Sequence, residues 1–207
     1  MAEATVDPTA FQKLSYGLFV LSAKADSKDN GCIINTLSQV TNTPNRLCAA
    51  VNKSTLTHDL IRDTGLFTAS VLTDGTPFSL FQRFGLQSGR DTDKFAGFPH
   101  TAREAHGLLY LTEHANAFLT GRVLDTVDLG THALFIADLA AAQILSGEAS
   151  LTYEDYFRRV KPGPTKAAGW RCRVCGYVYE GECLPPDFIC PWCGHGAADF
   201  EQVAASL

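Results

Sequence analysis

The hydrophobic positions of the first 160 residues follow a pattern typical of strands. Apolar runs and two-residue alternation predict strands at residues 17–23, 32–40, 47–52 and 66–72, with a polar turn at residues 26–31 between the first two. Residues 116–127 and 131–139 predict a hairpin around the turn from Asp128 to Gly130. So many strands predict a mainly β domain.

Helical spacing is confined to a few segments between these strands. Residues 55–63 have it, with Ser54 or Thr55 available as the N-cap, and residues 152–159 form a charged helical segment. Asp7 followed by Pro8 predicts a further short helix that carries Phe11 and Leu14. The expected architecture is therefore a barrel with peripheral helices.

One segment with the composition of a linker divides the chain into two parts. Residues 161–169 are rich in proline, glycine and small side chains and have no apolar period, as expected of a linker. A new pattern begins at Trp170. We therefore expect a domain at residues 1–160, a linker at 161–169 and a small domain at 170–207.

The amino-acid composition limits the kinds of partner that the chain is expected to bind. The chain has 207 residues, 45% hydrophobic and 19% charged residues and a net charge of −5, which is ordinary for a globular protein. The only basic cluster is Arg158, Arg159 and Lys161, so we expect no nucleic-acid partner. The N-terminus does not resemble a signal peptide and no apolar run reaches about 18 residues, so we expect a cytoplasmic protein without a membrane partner.

Cysteine spacing supplies the strongest chemical signal. Five of the seven cysteines lie at or after position 172, and four of them form the pattern C-x2-C-x14-C-x2-C. Two facing C-x2-C turns can surround one iron or zinc ion with a tetrahedron of sulfur. The predicted metal ligands are Cys172, Cys175, Cys190 and Cys193.

Several neighbours of these cysteines support a compact metal-dependent domain. A glycine follows each C-x2-C turn, at Gly176 and Gly194, and can orient backbone N–H groups toward sulfur. Six aromatic residues can form the core: Trp170, Tyr177, Tyr179, Phe188, Trp192 and Phe200. Cys183 matches no ligand position, and His195 is expected at the surface. A structural zinc ribbon remains open, because zinc accepts the same ligands.

The first domain has a polar strip with less specific chemistry. Residues 35–39 end one predicted strand, and residues 52–57 join another strand to a helix. Hydroxyls, amides and Lys53 at a helix N-terminus can form a site for phosphate. Helix capping by Ser54 and Thr55, with a solvated Lys53, explains the same residues.

Two family resemblances give these patterns a common meaning. Residues 172–181 and 187–194 resemble rubredoxin, in the shortened form found at the end of rubrerythrins. Residues 33–41, 51–61, 65–72, 84–85, 88–95, 130–136 and 151–153 are similar to the flavin reductase family. The second resemblance implies an FMN-binding split β-barrel, usually homodimeric, that takes hydride from a nicotinamide cofactor. The first implies one iron that cycles between ferrous and ferric states.

The flavin reductase resemblance also implies roles for particular residues. It assigns the flavin ring edge and ribityl chain to Asn35, Thr36, Leu37, Ser38 and Gln39. It assigns the phosphate to Asn52, Lys53, Ser54 and Thr57, with Phe84 and Lys94 as further candidates. His132 matches a family histidine near the flavin or nicotinamide and is the one candidate catalytic residue, although a structural hairpin histidine explains it equally well.

The combined chain resembles the high-molecular-weight rubredoxins of anaerobic bacteria. That resemblance implies an enzyme that passes electrons from NAD(P)H through FMN to the iron, and then to a flavodiiron protein that reduces oxygen or nitric oxide. No G-x-G-x-x-G motif follows a strand, so no Rossmann domain is expected for the nicotinamide. Two alternatives stay open: a flavin or ferric reductase with a zinc ribbon, and an FMN-binding carrier that a partner protein reduces.

Overall fold

The computed structural model describes residues 14–163 and 168–204. The helix predicted from Asp7 lies largely outside these residues. The strands are β1 (Phe19–Ala25), β2 (Lys28–Ile34), β3 (Leu37–Asn42), β4 (Asn45–Asn52), β5 (Leu66–Leu72), β6 (Thr101–Arg103), β7 (Leu109–Leu111), β8 (Ala115–Asp128), β9 (His132–Ile144), β10 (Gly169–Cys172), β11 (Val178–Tyr179) and β12 (Phe200–Val203). The helices are α1 (Leu56–Thr64), α2 (Phe78–Gly85) and α3 (Tyr153–Asp155), which continues into a π-helical turn (Tyr156–Val160), and a 3-10 turn lies at Ala197–Asp199.

The large domain is a seven-stranded antiparallel sheet in the order β2-β1-β5-β8-β9-β4-β3. Its longest pairing is the β8–β9 ribbon, whose turn is closed by a hydrogen bond from Leu129 N to His132 O. Strands β2 and β3 are its two edges. The mainly β fold expected from the sequence is therefore confirmed.

Two hydrophobic cores lie on opposite faces of this sheet. On β1, Phe19 and Leu21 enter the first core, whereas Val20 enters the second, as two-residue alternation requires. The first core also contains Val51 of β4 and Phe135 of β9. Because β1 and β4 lie far apart in the sheet order but share one core, the sheet must curl around that core as a barrel.

Two helices complete these cores. Leu60 and Ile61 of α1 pack inside the first core, and Thr55 caps this helix by accepting a hydrogen bond from His58 N. Helix α2 packs Leu80 and Phe81 into the second core from outside the barrel. None of the helices in the described ranges is long and apolar enough to cross a bilayer.

Most predicted elements are confirmed, and the differences have local causes. The helix at residues 55–63, the strand at 66–72 and the hairpin around residues 128–130 agree with α1, β5 and the β8–β9 ribbon. The predicted turn at residues 26–31 is too long, because Asp26 adopts a positive φ of 52° and lets β2 begin at Lys28. Helix α2 and the short β6–β7 hairpin were not predicted.

The predicted single strand at residues 32–40 is wrong, because the chain breaks at Asn35 and Thr36 between β2 and β3. Strand β2 pairs with β1, whereas β3 pairs with β4 at the opposite edge of the sheet. Because β2 and β3 lie at opposite edges of the sheet, residues 32–40 cannot pair as one continuous strand. The break therefore follows from barrel topology, which alternation alone does not reveal.

Residues 168–204 form a second small unit, called the cysteine module below. Its sheet has the order β11-β10-β12. Phe200 is buried among the cysteines, and the other predicted aromatic residues pack around them: Trp170, Tyr177, Tyr179, Phe188 and Trp192. The expected aromatic core is therefore confirmed.

Candidate functional site

The four predicted metal ligands converge in the cysteine module. The Sγ atoms of Cys172, Cys175, Cys190 and Cys193 all lie within 4.8 Å of one another, and all four residues are buried. The Sγ atoms of Cys172 and Cys193 are 3.6 Å apart, and those of Cys175 and Cys190 are 3.5 Å apart. Four sulfurs at these separations can surround one tetrahedral ion such as iron or zinc.

The two cysteine turns have the same backbone geometry. Gly176 N donates to Cys172 O and Gly194 N donates to Cys190 O, both at 2.9 Å. These glycines have φ values of 85° and 75°, which side chains disfavour. Backbone N–H groups beyond the turns also donate to sulfur, Tyr177 N–H to Cys175 and His195 N–H to Cys193. Such donors stabilise negative charge on the cluster.

Burial disfavours unpaired thiolates in the cluster. Burial raises the pKa of Cys175 to about 12 and also raises the pKa of Cys193. Burial acts in the same direction on Cys172, but hydrogen bonds from the backbone of Cys175 and Val174 outweigh it, so that its pKa is lowered. A metal ion supplies the positive charge that four buried thiolates require and displaces their protons.

The polar strip, residues 35–39, runs antiparallel to β4. Leu37 lies opposite Ala49 and Gln39 opposite Leu47, and the Thr36 hydroxyl donates to Ala50 O at 2.6 Å. The strip therefore approaches the end of β4 from which the chain enters α1. Asn35, Thr36 and Leu37 are half-buried, whereas Ser38 and Gln39 are exposed.

The segment between β4 and α1, residues 52–55, is called the phosphate turn because the sequence predicts phosphate there. Asn52 Oδ1 accepts from Ser54 N at 2.9 Å, and Asn52 O accepts from Thr55 N at 3.1 Å. These bonds hold the turn at the N-terminus of α1, where backbone N–H groups and the helix dipole favour an anion. Ser54 is exposed at this position.

Lys53 and His132 both lie near the turn of the β8–β9 ribbon. Asn52 lies opposite His132 in the β4–β9 pairing, so the strand order brings the predicted catalytic histidine beside the phosphate turn. The Lys53 ammonium pairs with Asp128, and its hydrogen bond lowers the pKa of that carboxyl. His132 Nδ1 lies 2.9 Å from the Thr131 hydroxyl. The pairing with Asp128 reduces the charge that Lys53 can offer to an anion.

Three predicted cofactor residues are buried beneath this surface. Thr57 is fully buried and accepts from Asn30 Nδ2 at 2.9 Å. Phe84 is also fully buried, in the second core. Lys94 donates to Gly31 O and to Phe84 O, both at 3.0 Å, and burial lowers its pKa. The arrangement gives Thr57 and Phe84 a packing role.

A cleft of about 280 Å³ lies between the two units of the chain. The barrel contributes Ser54, Ser88 and Lys94, and the cysteine module contributes Val174 and His195. No carboxylate is among its described lining residues. This interdomain cleft can therefore accommodate an anionic group.

Two further cavities flank the predicted residues. A mostly apolar cavity of about 300 Å³ is lined by Leu37, Ser38 and Gln39 together with Phe19 and Leu139. The second cavity, about 710 Å³, has none of the predicted site residues in its lining and is lined by polar groups that include Arg90 and Arg103. The strip and the phosphate turn thus line separate concavities in the described protein.

Sequence reasoning missed the cleft residues Ser88, Val174 and His195. Ser88 lies in a polar loop that contains a family-like segment, and this signal could have marked it. Val174 and His195 line this cleft only because two units that are distant in sequence lie side by side. No local pattern could have identified them.

The flavin reductase-like domain family matches residues 11–163, and the rubrerythrin rubredoxin-like domain family matches residues 170–201. The chain is 36% identical to a high molecular weight rubredoxin of Moorella thermoacetica over 96% of this chain and 100% of that protein. It is 34% identical to a ferric-chelate reductase (NAD(P)H) of Archaeoglobus fulgidus over 77% of this chain and 94% of that protein.

Solved structures support the fold. An NADH:FAD oxidoreductase of Streptomyces globisporus superposes with a TM-score of 0.65 at 18% identity, covering 75% of this chain and 95% of that one. An FMN-binding protein of Thermus thermophilus superposes with a TM-score of 0.61 at 19% identity, covering 100% of this chain and 97% of that one. At these identities the superpositions establish the shared fold.

Proposed function

Because the chain belongs to the flavin reductase-like family and ends in a rubredoxin-like domain, we propose that it passes electrons from NAD(P)H through FMN to a single iron. It is a flavin-dependent oxidoreductase with an electron-transfer domain. The observation that carries this proposal is the cluster of four buried cysteines in the same chain as the flavin reductase barrel. The barrel would supply the hydride acceptor, and the rubredoxin-like domain would supply the one-electron carrier through which the electrons leave.

The iron would be held by Cys172, Cys175, Cys190 and Cys193. Their Sγ separations and the tetrahedral preference of a four-sulfur site fit one ion. The N–H groups of Tyr177 and His195 would donate to the sulfurs of Cys175 and Cys193. These donors would stabilise the reduced state, which carries one more negative charge.

FMN would be held by the polar strip and the phosphate turn. The strip offers half-buried Asn35 and Thr36 and an apolar cavity beside Leu37, which suit a flat ring with polar edges. Ser54 and the N-terminus of α1 would bind the phosphate, and the lack of a carboxylate in the described lining of the interdomain cleft fits an anion. His132, half-buried beside Asn52, would stand near the reacting ring or the nicotinamide.

The two cofactors divide the chemistry between them. Bound flavin would accept two electrons as hydride and release them one at a time, and iron would take one at each step. The protein's residues then need only to bind and orient the donors, because hydride transfer between the two cofactors requires no acid–base pair. The acceptor of the electrons would be a flavodiiron protein or another redox protein.

The negative charge of the cysteine module and the flavin reductase family suggest which proteins this chain binds. From Trp170 onward the chain has two arginines and five acidic residues, so a basic face on the acceptor would complement the cysteine module. A homodimer is proposed from the flavin reductase family, whose members usually pair.

An anaerobic titration tests the proposal. NADH or NADPH is added to purified protein of known metal content, and flavin and ferric-thiolate absorbance are followed together. Loss of both signals, with one iron per chain, is expected. Loss of flavin absorbance alone in iron-loaded protein would contradict the electron path, and no change in either signal would contradict the nicotinamide donor.

A second candidate is a ferric or flavin reductase with a structural zinc ribbon. The similarity over 77% of this chain to a protein named as a ferric-chelate reductase (NAD(P)H) favours it. Zinc in protein produced with excess iron, together with reduction of added ferric chelate, would support this candidate over the first.

A further inference from the structure

Apolar side chains of the cysteine module and of the barrel pack against each other beside α2. The ring of Trp192 meets the ring of Phe78 edge-on, with centroids 5.2 Å apart and an interplanar angle of 73°. Leu86, just beyond α2, packs against the cysteine cluster itself. An edge-to-face aromatic pair adds binding energy beyond its buried area, so this contact can hold the module in one orientation.

That orientation turns one metal ligand toward the barrel. Cys193, Gly194 and His195 share a groove with Ser88 and Asp91 of the loop that follows α2. His195 also lines the interdomain cleft together with Ser54 of the phosphate turn. The Cys193 edge of the cluster thus faces the barrel surface where the candidate flavin residues end.

The linker supports docking within one chain. Tyr156 packs against Phe81 of α2 with ring centroids 4.4 Å apart, and Val160 packs on the second core. The linker therefore starts beside the helix that carries Phe78. Residues 161–168 can span at most about 30 Å, which keeps the module at a high effective concentration near its docking surface.

From these contacts we propose that the Phe78–Trp192 contact and Leu86 form an internal docking surface that sets the rate of electron transfer from flavin to iron within one chain. This inference rests on the proposed function. Each step would move one electron from bound reduced flavin to ferric iron, with one flavin proton released to solvent, and the external acceptor protein would reoxidise the ferrous iron before the second step. A weak contact suits this role, since the module must also release its electron to an external protein.

Rapid-mixing measurements on full-length protein test the docking surface. The flavin is reduced anaerobically by NADH, or by light and EDTA if NADH is inactive, and the ferric-thiolate bleaching rate is followed at several protein concentrations. The native rate is expected to be independent of concentration. In Phe78→Ala and Trp192→Ala it is expected to fall severalfold, by up to about tenfold, since one packed aromatic pair is worth about that much in a docking equilibrium.

Matched variants separate docking from folding. Phe78→Tyr and Trp192→Phe keep an aromatic ring and are expected to restore most of the rate, and Ile189→Ala, which changes an exposed side chain of the module, is expected to leave it unchanged. Flavin content, flavin reduction and the ferric-thiolate spectrum should be native in every variant. If iron bleaches at the native rate in both alanine variants, the docking surface is refuted.

Two other results overturn the inference in different ways. A native rate that rises with protein concentration would indicate transfer between separate molecules. Iron that stays ferric beside photoreduced flavin in the native protein would refute the proposed electron path itself, whatever the variants do. If light drives iron reduction and NADH does not, only the donor assignment fails, and the docking comparison proceeds unchanged.

Discussion

The two candidate sites of this chain are built in different ways. The four cysteines come from two short turns 14 residues apart, and each turn places two sulfurs by its own backbone. The flavin candidates come from β3, the phosphate turn and the start of β9, which span residues 35–132 and meet only through strand pairing. A site made of local turns depends on each ligand, whereas a site made by a fold distributes its binding over many contacts.

Loss of one cysteine should give the largest effect. Cys190→Ser removes one of four buried ligands, so we expect loss of metal and unfolding of residues 168–204, because small domains of this kind fold on their metal. Metal content and limited proteolysis beyond residue 163 measure this outcome. The barrel's melting temperature should change little. Cys183→Ser, at an exposed thiol, is the matched control, and full metal content in Cys190→Ser would contradict the local nature of the site.

Adding a side chain at Gly89, where the backbone lies close to Asn30, should have the next largest effect. A Cβ at Gly89 would lie 2.1 Å from Asn30 Oδ1, and Asn30 is the buried partner of Thr57. Gly89→Ala should lower the free energy of unfolding of the barrel by about 2 kcal/mol, as overpacking does, and should weaken flavin binding. Gly147→Ala, where a Cβ meets open space, is the control for denaturant unfolding. Equal unfolding curves for Gly89→Ala and native protein would contradict this prediction, because they would show that the loop around residue 89 can shift without loss of stability.

Removal of the Asn52 side-chain amide from the phosphate turn should have a smaller effect, which is measured on flavin binding. Asn52→Ala removes the acceptor of Ser54 N and frees the turn at the start of α1. We expect the flavin dissociation constant to rise about tenfold, the equivalent of one ordinary hydrogen bond. Fluorescence titration of flavin-free protein measures it. Asn116→Ala, which removes an amide that donates to Glu148 O elsewhere on the barrel, should leave the constant unchanged.

The smallest expected effect concerns an ion pair at α1. A hydrogen bond from Arg90 chiefly lowers the pKa of Asp59, so its folded pKa lies below the unfolded value of about 3.9. The stabilisation is present above about pH 4 and is lost as the pH falls through the folded pKa. Asp59→Asn should cost less than about 1 kcal/mol at neutral pH, and native and variant protein should converge in acid. Asp63→Asn is the control, and a difference that persists in acid would point to packing instead.

The sequence predicted the metal site better than the flavin site for a physical reason. Spacing within a C-x2-C turn determines geometry directly, so four ligands and the aromatic core could be identified without knowing the fold. The strand at residues 66–72 and helix α1 were also predicted, since each is set by its own alternation or capping. Local interactions decide all of these features.

Features that depend on topology escaped prediction. The break at Asn35 and Thr36 exists because β2 and β3 lie on opposite edges of one sheet. The burial of Phe84, the pairing of Lys53 with Asp128 and the approach of His195 to Ser54 each join residues that are far apart along the chain. Family resemblance indicated the region of the site, but it did not reveal which side chains face a cavity.

Strand β1 has a consequence for how the barrel folds. Leu21 belongs to one core and Val20 to the other, and both are fully buried, so neither core can assemble while this strand is detached. The barrel should therefore unfold as one cooperative unit, with equal calorimetric and van't Hoff enthalpies. The cysteine module has its own core and needs its metal to fold. A calorimetric scan should therefore resolve two unfolding transitions, and a metal chelator should increase the difference between their midpoint temperatures.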